Sequence, residues 1–415
     1  MKRRQFIKFL GFGAVAGTIA YYWPDEGMTN PCPLTRMPEQ LLNNDLVASA
    51  WEGVDPGQFW DVHTHLIGTG DSGDSGIYLH PAMQDILSPA QYVRYRFYIN
   101  ASCSDGEEGI DKGFVNHLHH LLDAFPAGAK CMLLGFDYNH DATGVANKAA
   151  SPFYTPNSYA QRLAAARPDR FEWIASIHPY REDCVSALAV AVKSGARAVK
   201  WLPPVMDIDP ASAKCDRFYA AMAEHGIPLL THAGDEHAVD GVDAQARGNP
   251  LLLRRALDHG VKVIIAHCAS EGSGVDLDRG VNGPRLTNFE LFARLMDEPR
   301  YENSLFADIS AMTQLNRIGP ALQTVLTRSD WHHRLLNGSD YPLPGVMPLY
   351  STEKLFQLGY IAQQDVATLR ELRQHNPLLF DFVLKRHLRW QGRGFAPSIF
   401  ETRRAFLQPT TTAAA

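Results

Sequence analysis

The chain has 415 residues, 45% hydrophobic and 20% charged, with a formal net charge of −6. That balance suits a globular protein with a large buried core and gives no basic patch of the kind that binds nucleic acid. Its six cysteines are too scattered for a disulfide scaffold and include no Cys-x-x-Cys spacing, although an exported chain could carry one or two disulfides whose pairing stays open.

Met1-Lys2-Arg3-Arg4-Gln5-Phe6-Ile7-Lys8 precedes a weakly apolar run from Phe9 to Trp23. This is the layout of an export signal, and the paired arginines followed by Phe6, Ile7 and Lys8 match the twin-arginine address read by the bacterial export machinery. A general secretory signal with two chance arginines is the alternative. No convincing cleavage site follows, so retention as a membrane anchor stays open, although the run is short of the roughly 20 residues a span needs. Residues 24–56, rich in Pro and Asn, are expected to form a tether with one short helix.

From residue 57 to about 390, short apolar runs alternate with amphipathic ones. Strands are expected at Phe59–His65, Lys130–Phe136, Phe171–His178, Ala196–Leu202, Ile227–His232, Lys262–His267, Leu305–Ser310 and Arg334–Asp340. Helices are expected at Ile110–Ala124, Ser158–Ala166, Glu182–Ser194, Ala211–His225, Pro250–His259, Asn288–Asp297, Asn316–Arg328 and Gln363–Leu388. Strands alternating with helices imply right-handed crossovers and parallel pairing. Eight such units predict an α/β fold closed as a (β/α)8 TIM barrel. Two long insertions, Leu66–Glu108 after the first strand and Ala269–Thr287 after the sixth, follow strand C-termini and are expected to cover substrate. Residues 391–415 read as a C-terminal extension.

Side-chain alternation along Phe59–His65 puts Asp61, His63 and His65 on one face, with Trp60, Val62 and Thr64 packing outward on the other. The fifth strand ends in His232, the sixth in His267 and the eighth in Asp340. All strand C-termini of a parallel barrel open on one mouth, so four histidines and a carboxylate converge without being neighbours in sequence. Imidazole with carboxylate suits a divalent metal, zinc first, with manganese, iron and nickel as competitors.

Asp61-Val62-His63-Thr64-His65, Thr231-His232-Ala233-Gly234, Ala266-His267-Cys268, Gly338-Ser339-Asp340-Tyr341-Pro342 and the late Asn376-Pro377-Leu378-Leu379-Phe380 together resemble the metal-dependent amidohydrolase superfamily. The spacing resembles its amidohydrolase-related (amidohydrolase 2) branch, which also holds aminocarboxymuconate-semialdehyde decarboxylase. The resemblance runs from Phe59 to Leu388. It implies a barrel in which His63, His65, His232 and Asp340 bind metal, while His267 binds a second metal or polarises substrate. It also implies a hydrolase that uses metal-activated water on a C–N or C–O bond of a small amide, ester or lactone, with a decarboxylase of a carboxylated substrate as the alternative. Asp340 would be the base, and a homo-oligomer is open.

Lys200 ends the fourth strand, where two-metal members carry a bridging carbamylated lysine. In a one-metal site it stays an amine paired with Asp340 or with substrate. Asp61 is expected to orient the site without touching the ion, Asp308 to support the site or contact substrate, and His178 to contact substrate or be structural. Arg94, Arg96, Arg279 and Arg285 are candidates for a substrate carboxylate. Asp235, Glu236 and His237 lie in a loop that could line the pocket. His117, His119 and His120 fall within a helix and read as packing or surface residues. The run from Gly68 to Gly76 lacks the lysine and following helix of a phosphate cradle and reads as a flexible cover.

Overall fold

The computed structural model describes residues 24–33, 37–104, 106–236 and 245–407; the expected export signal and His237 lie outside them. Eight strands carry the architecture: β1 (Trp60–His65), β2 (Lys130–Leu134), β3 (Phe171–Ile174), β4 (Val199–Trp201), β5 (Leu229–His232), β6 (Val263–Ala266), β7 (Leu305–Asp308) and β8 (Leu335–Leu336). Strands β1 to β3 pair in parallel as one run and β4 to β8 as another. A parallel bridge between Ala175 and Val199 joins β3 to β4. Past β8, the Thr64–Tyr341 bridge, the Val62 N–H to the Asn337 carbonyl and the Asp340 N–H to the His63 carbonyl join the last strand to β1. The pairing returns to its start, and the sheet is a closed (β/α)8 barrel.

The interior is an apolar plug. Trp60 and Val62 of β1, Met132 and Leu134 of β2, Ile174 of β3, Ala198, Leu230 of β5, Ile264 of β6 and Leu336 of β8 meet in one buried cluster. Phe406 and Ala405, from the C-terminal segment, join it. Thr402 helps to hold that segment against β1, its hydroxyl accepting the Trp60 N–H at 3.0 Å.

Helices surround the strands: α1 (Pro89–Ala101), α2 (Ile110–Leu122), α3 (Asn157–Ala166), α4 (Cys184–Lys193), α5 (Asp216–His225), α6 (Arg254–Asp258), α7 (Asn288–Met296), α8 (Pro320–Thr327), α9 (Asp365–His375) and α10 (Pro377–His387). Local sequence explains several of their ends. Thr287 and Glu290 close a reciprocal capping box at the start of α7, whose Leu291, Phe292 and Leu295 are buried against the barrel. The single late helix expected over Gln363–Leu388 is two, because Pro377 lacks an N–H and disfavours a helical residue before it. Asn376 accordingly sits at φ −148°, and its side chain caps α10 through the Leu379 N–H.

Helix α1 has no counterpart in the sequence reading: along Pro-Ala-Gln-Tyr-Val-Arg-Tyr-Arg-Phe-Tyr-Ile-Asn-Ala the apolar and polar residues do not separate into faces. Short helices at Glu39–Leu42 and Asp45–Ala50 lie within the expected tether. Among the described residues no helix is long and apolar enough to cross a membrane.

Leu230 is fully buried in the barrel centre. Leu230→Ala is expected to lower unfolding free energy by about 2–5 kcal/mol, the range for a leucine truncated in a packed core. Urea denaturation of the variant against the parent measures it; a loss well under this range would mean a loosely packed interior.

Candidate active site

The register of β1 on β2 pairs Asp61 with Cys131 and then Thr64 with Leu133, leaving one extra residue on β1. This bulge corrects the expected alternation. Trp60 and Val62 face inward rather than outward. Asp61 does not share a face with the histidines; it lies on the α10 side, near Lys385 and Asp381. His63 and His65, past the bulge, enter the mouth. Asp61 still orients the site through backbone, its Oδ1 accepting the N–H of His63 at 3.1 Å and of Ser339 at 2.9 Å. Burial pushes its carboxyl up to about 6.

At the floor of the mouth, His63, His267 and Asp340 bring one ligand atom each within 4.8 Å of one another. Asp340 Oδ1 lies 3.4 Å from His63 Nε2 and 3.1 Å from His65 Nε2, and its Oδ2 lies 3.8 Å from His267 Nε2. Burial alone would raise the Asp340 carboxyl; His63, His267 and His65, when protonated, outweigh that and hold it well below its usual range. His267, Cys268, Ala269 and Asp340 all have φ between 48° and 60°. Left-handed backbone at non-glycine residues is costly and concentrates where a site imposes it.

Asp308, at the end of β7, decides the tautomers. Its Oδ2 lies 3.0 Å from His63 Nδ1, and an ionised carboxylate only accepts, so Nδ1 carries the proton and Nε2 keeps its lone pair. That lone pair accepts from Lys200 Nζ at 2.9 Å. Ser310 Oγ donates to Asp308 Oδ1 and accepts from His267 Nδ1 at 2.8 Å, so His267 Nε2 is also left bare. The Asp308 Oδ1 takes the His267 N–H as well, at 3.0 Å. Burial depresses both imidazoles, His267 well below the ordinary value. His232 is pushed down to about 4 by burial; its Nδ1 lies 3.5 Å from Glu236, and its buried Nε2 has no hydrogen-bond partner among the described residues. The Nε2 atoms of His63 and His267 beside Asp340, the buried Nε2 of His232 and the Asp340 carboxylate form a donor set that fits a divalent cation. Lys200, buried beside them, is pushed down to about 8 by burial against the pull of Asp308, Asp340 and Glu236.

Above this floor the mouth has two lobes. The first is apolar, lined by Leu66, Ile67, Ile77, Leu79 and Met83 of the first insertion, by Tyr95 and Tyr98 of α1, and by Phe153 and Leu202. The second brings Arg94, Gln314 and Arg317 beside His267 and Asp340. Arg317 pairs with Glu271 at 3.2 Å and with Ser270 Oγ at 3.0 Å, while its buried Nε has no hydrogen-bond partner among the described residues. Sequence reasoning passed over Arg317 and Gln314, whose loop follows β7 in the same way as the other site residues follow their strands.

The second insertion departs from expectation. It pairs Ser273–Val275 with Arg285–Thr287 over a separate cavity, and of its residues only Glu271 reaches the mouth, in the polar lobe. Arg285 faces that separate cavity, while Arg279 lies 3.6 Å from Asp276. The glycine-rich run is anchored rather than flexible: the buried Asp111 carboxylate accepts the Thr69 and Gly70 N–H groups and the Ser72 and Ser75 hydroxyls. His178 does not line the mouth; its Nε2 donates to the Met206 carbonyl at 2.9 Å and its Nδ1 accepts the Tyr180 N–H at 3.2 Å. His117 and His119 sit on α2, His117 buried and His119 against Phe171.

A family model described as amidohydrolase matches residues 133–378, more than half of the chain, and the chain belongs to this family. The matched span contains Lys200, His232, His267, Asp308 and Asp340 but starts after His63 and His65. No curated protein matches the sequence. Similar solved structures include an uncharacterized TIM-barrel protein from Bordetella bronchiseptica, 17% identical over 76% of this chain and 98% of that one with a TM-score of 0.44. Another is a probable 2-pyrone-4,6-dicarboxylic acid hydrolase from Acinetobacter baumannii, solved with citric acid bound, at 16% identity over 77% and 96% with a TM-score of 0.41. A third is 5-carboxyvanillate decarboxylase from Sphingomonas paucimobilis, at 12% identity over 75% and 95% with a TM-score of 0.41. Barrel closure in this chain rests on its own backbone pairing.

Asp308→Asn would give His63 Nδ1 and Ser310 an ambivalent partner in place of an acceptor. Its expected effect is a loss of about 10–100-fold in affinity for zinc or manganese, measured by competition with a chelator. Unchanged affinity would remove Asp308 as the group that sets the ligand tautomers.

Proposed function

We propose that this amidohydrolase-family enzyme is a metal-dependent hydrolase that cleaves a C–N or C–O bond of a small amide, ester or lactone. The observation that carries this reading is an ionised carboxylate, Asp340, held among His63, His65 and His267 at the floor of an apolar cavity. His63, His65, His232 and Asp340, joined by His267, would hold one divalent ion, zinc first. When bound, such an ion supplies a Lewis acid that acidifies water and polarises a carbonyl.

The chain's own groups do the rest. Asp340, acceptor-only, takes a proton from the attacking water and delivers it to the leaving atom. His267 has committed its N–H to Ser310, so it offers no hydrogen bond to a carbonyl oxygen and serves better as a ligand than as a polarising group. Lys200, the N–H donor beside His63, is left to polarise the substrate. In a two-metal form of the same reading, Lys200, if carbamylated, would add a carboxylate to the groups that hold the ions. The apolar lobe selects a hydrophobic body and excludes bulk water, which strengthens each of these interactions.

The polar lobe supports a second reading, a decarboxylase. Arg94 and Arg317 beside His267 and Asp340 offer a place for a substrate carboxylate. A panel of amides, esters, lactones and carboxylated aromatics, assayed with metal-loaded enzyme, separates the two. Asp340→Asn is expected to lose about 10³-fold or more in turnover with an unchanged circular dichroism spectrum. Near-parental activity would remove Asp340 as base. Arg317→Met should raise KM only for carboxylated substrates, and carbon dioxide release from them with no hydrolysis of the others would establish the decarboxylase.

We place the enzyme outside the cytoplasm. Arg3 and Arg4 support a twin-arginine address, and the Cys32–Cys103 disulfide is suited to an oxidising compartment. Lysines at both arginine positions are expected to leave the protein in the cytoplasm on cell fractionation; an unchanged periplasmic yield would point to the general secretory route.

A further inference from the structure

Residues 24–33 precede the barrel and contribute nothing to the floor of the mouth, yet they are bound to two of its walls. On one side, Asn30 and Asn100 exchange two hydrogen bonds, the Asn30 N–H to Asn100 Oδ1 at 2.8 Å and the Asn100 amide to the Asn30 carbonyl at 3.0 Å. Cys32 is disulfide-bonded to Cys103 just beyond the end of α1. That helix carries Arg94, Phe97 and Tyr98 into the polar lobe and Tyr95 and Tyr98 into the apolar one.

On the other side, Glu26 accepts from the Thr352 N–H at 2.7 Å and from Arg373 at 2.6 Å, in an ion pair whose side chains are both 0% exposed. Arg373 uses its remaining donors on the carbonyls of Pro344, Val346, Met347 and Tyr350. This guanidinium therefore shapes the loop after β8, which brings Leu343 to both lobes and Val346 and Leu349 to the polar one. The two walls meet directly: a Cβ on Gly345 would fall 2.3 Å from the Ala101 carbonyl oxygen.

We propose that residues 24–33 are a strap that sets the mouth by holding α1 against the loop of residues 342–350, with Glu26, Asn30 and Cys32 as positioning residues. A buried ion pair broken at one partner leaves an uncompensated charge, so Glu26 governs how firmly Arg373 holds its carbonyls. The disulfide shortens the open chain that would otherwise let α1 drift. The strap acts on the walls that grip substrate and not on Asp340 or the imidazoles, so its loss weakens substrate binding more than the chemical step. This rests on reading the mouth as the substrate site.

The test uses the full chain in three forms: the parent treated with tris(2-carboxyethyl)phosphine, the Cys32→Ser/Cys103→Ser double variant, and Glu26→Gln. The phosphine with water supplies two electrons and two protons, so the disulfide becomes two thiols and the reagent becomes phosphine oxide. Cys32 and Cys103 are only half-buried, and the free cysteines Cys131, Cys184, Cys215 and Cys268 are already reduced. Hydrogen exchange over residues 89–101 and 342–350 is expected to speed up by about tenfold while the barrel strands stay protected. KM is expected to rise by about fivefold with kcat nearly unchanged. Exchange that changes only in residues 24–33, or a fall in kcat at constant KM, overturns the proposal. If no substrate in the panel is turned over, the hydrolase and decarboxylase readings fail, and the exchange data decide the strap without them.

Discussion

The site depends on one carboxylate that never meets solvent. Asp308 is fully buried, and it accepts from the His63 ring, the His267 backbone and both donors of Ser310. Such a group stays ionised only because those donors replace its hydration. In return it fixes the protons on the distal sides of two imidazoles and turns their lone pairs toward Asp340. Without it, His63 and His267 could each adopt the tautomer that presents an N–H to the cavity, and the site would repel a cation.

Two backbone irregularities deliver His63, His267 and Asp340 to that centre. The bulge in β1 lets Val62 and His63 both point inward, so one strand supplies the barrel core below and the mouth above. Left-handed residues after β6 and at Asp340 re-aim the chain where regular strands would carry the side chains past the centre. Asp61 ties these features together, bonding the backbone of His63 on β1 and of Ser339 beside Asp340. The barrel thus provides rigid walls, and departures from its regularity provide the chemistry.

The mouth is built from segments outside the repeating units. The first insertion and α1 form an apolar wall, and the loops after β7 and β8 form a wall with Arg317 and Gln314. Residues 24–33 bond to α1 and, through Arg373, to the loop after β8, so a segment that reads as a linker is built into the walls of the mouth. The C-terminal segment has a comparable role at the opposite end, where Phe406 reaches the barrel core.

The sequence by itself determined the barrel and the residues that end its strands. Alternating apolar and amphipathic runs disclosed all eight strands, and His63, His65, Lys200, His232, His267, Asp308 and Asp340 stood at strand ends before any contact was known. Parallel strands carry this information locally, since buried runs are continuous and their last residues face one mouth. Only the tertiary structure decided which of those residues meet. It brought His267 into the central set with His63 and Asp340, gave Asp61 to the outer face, removed His178 from the mouth and introduced Arg317. A bulge leaves no mark in a pattern of residue types, a hydrogen bond from Ser310 that fixes a tautomer depends on separations of about 3 Å across distant strands, and α1 lacks the amphipathic period that would announce it. Such features follow from how the elements pack rather than from what each one contains.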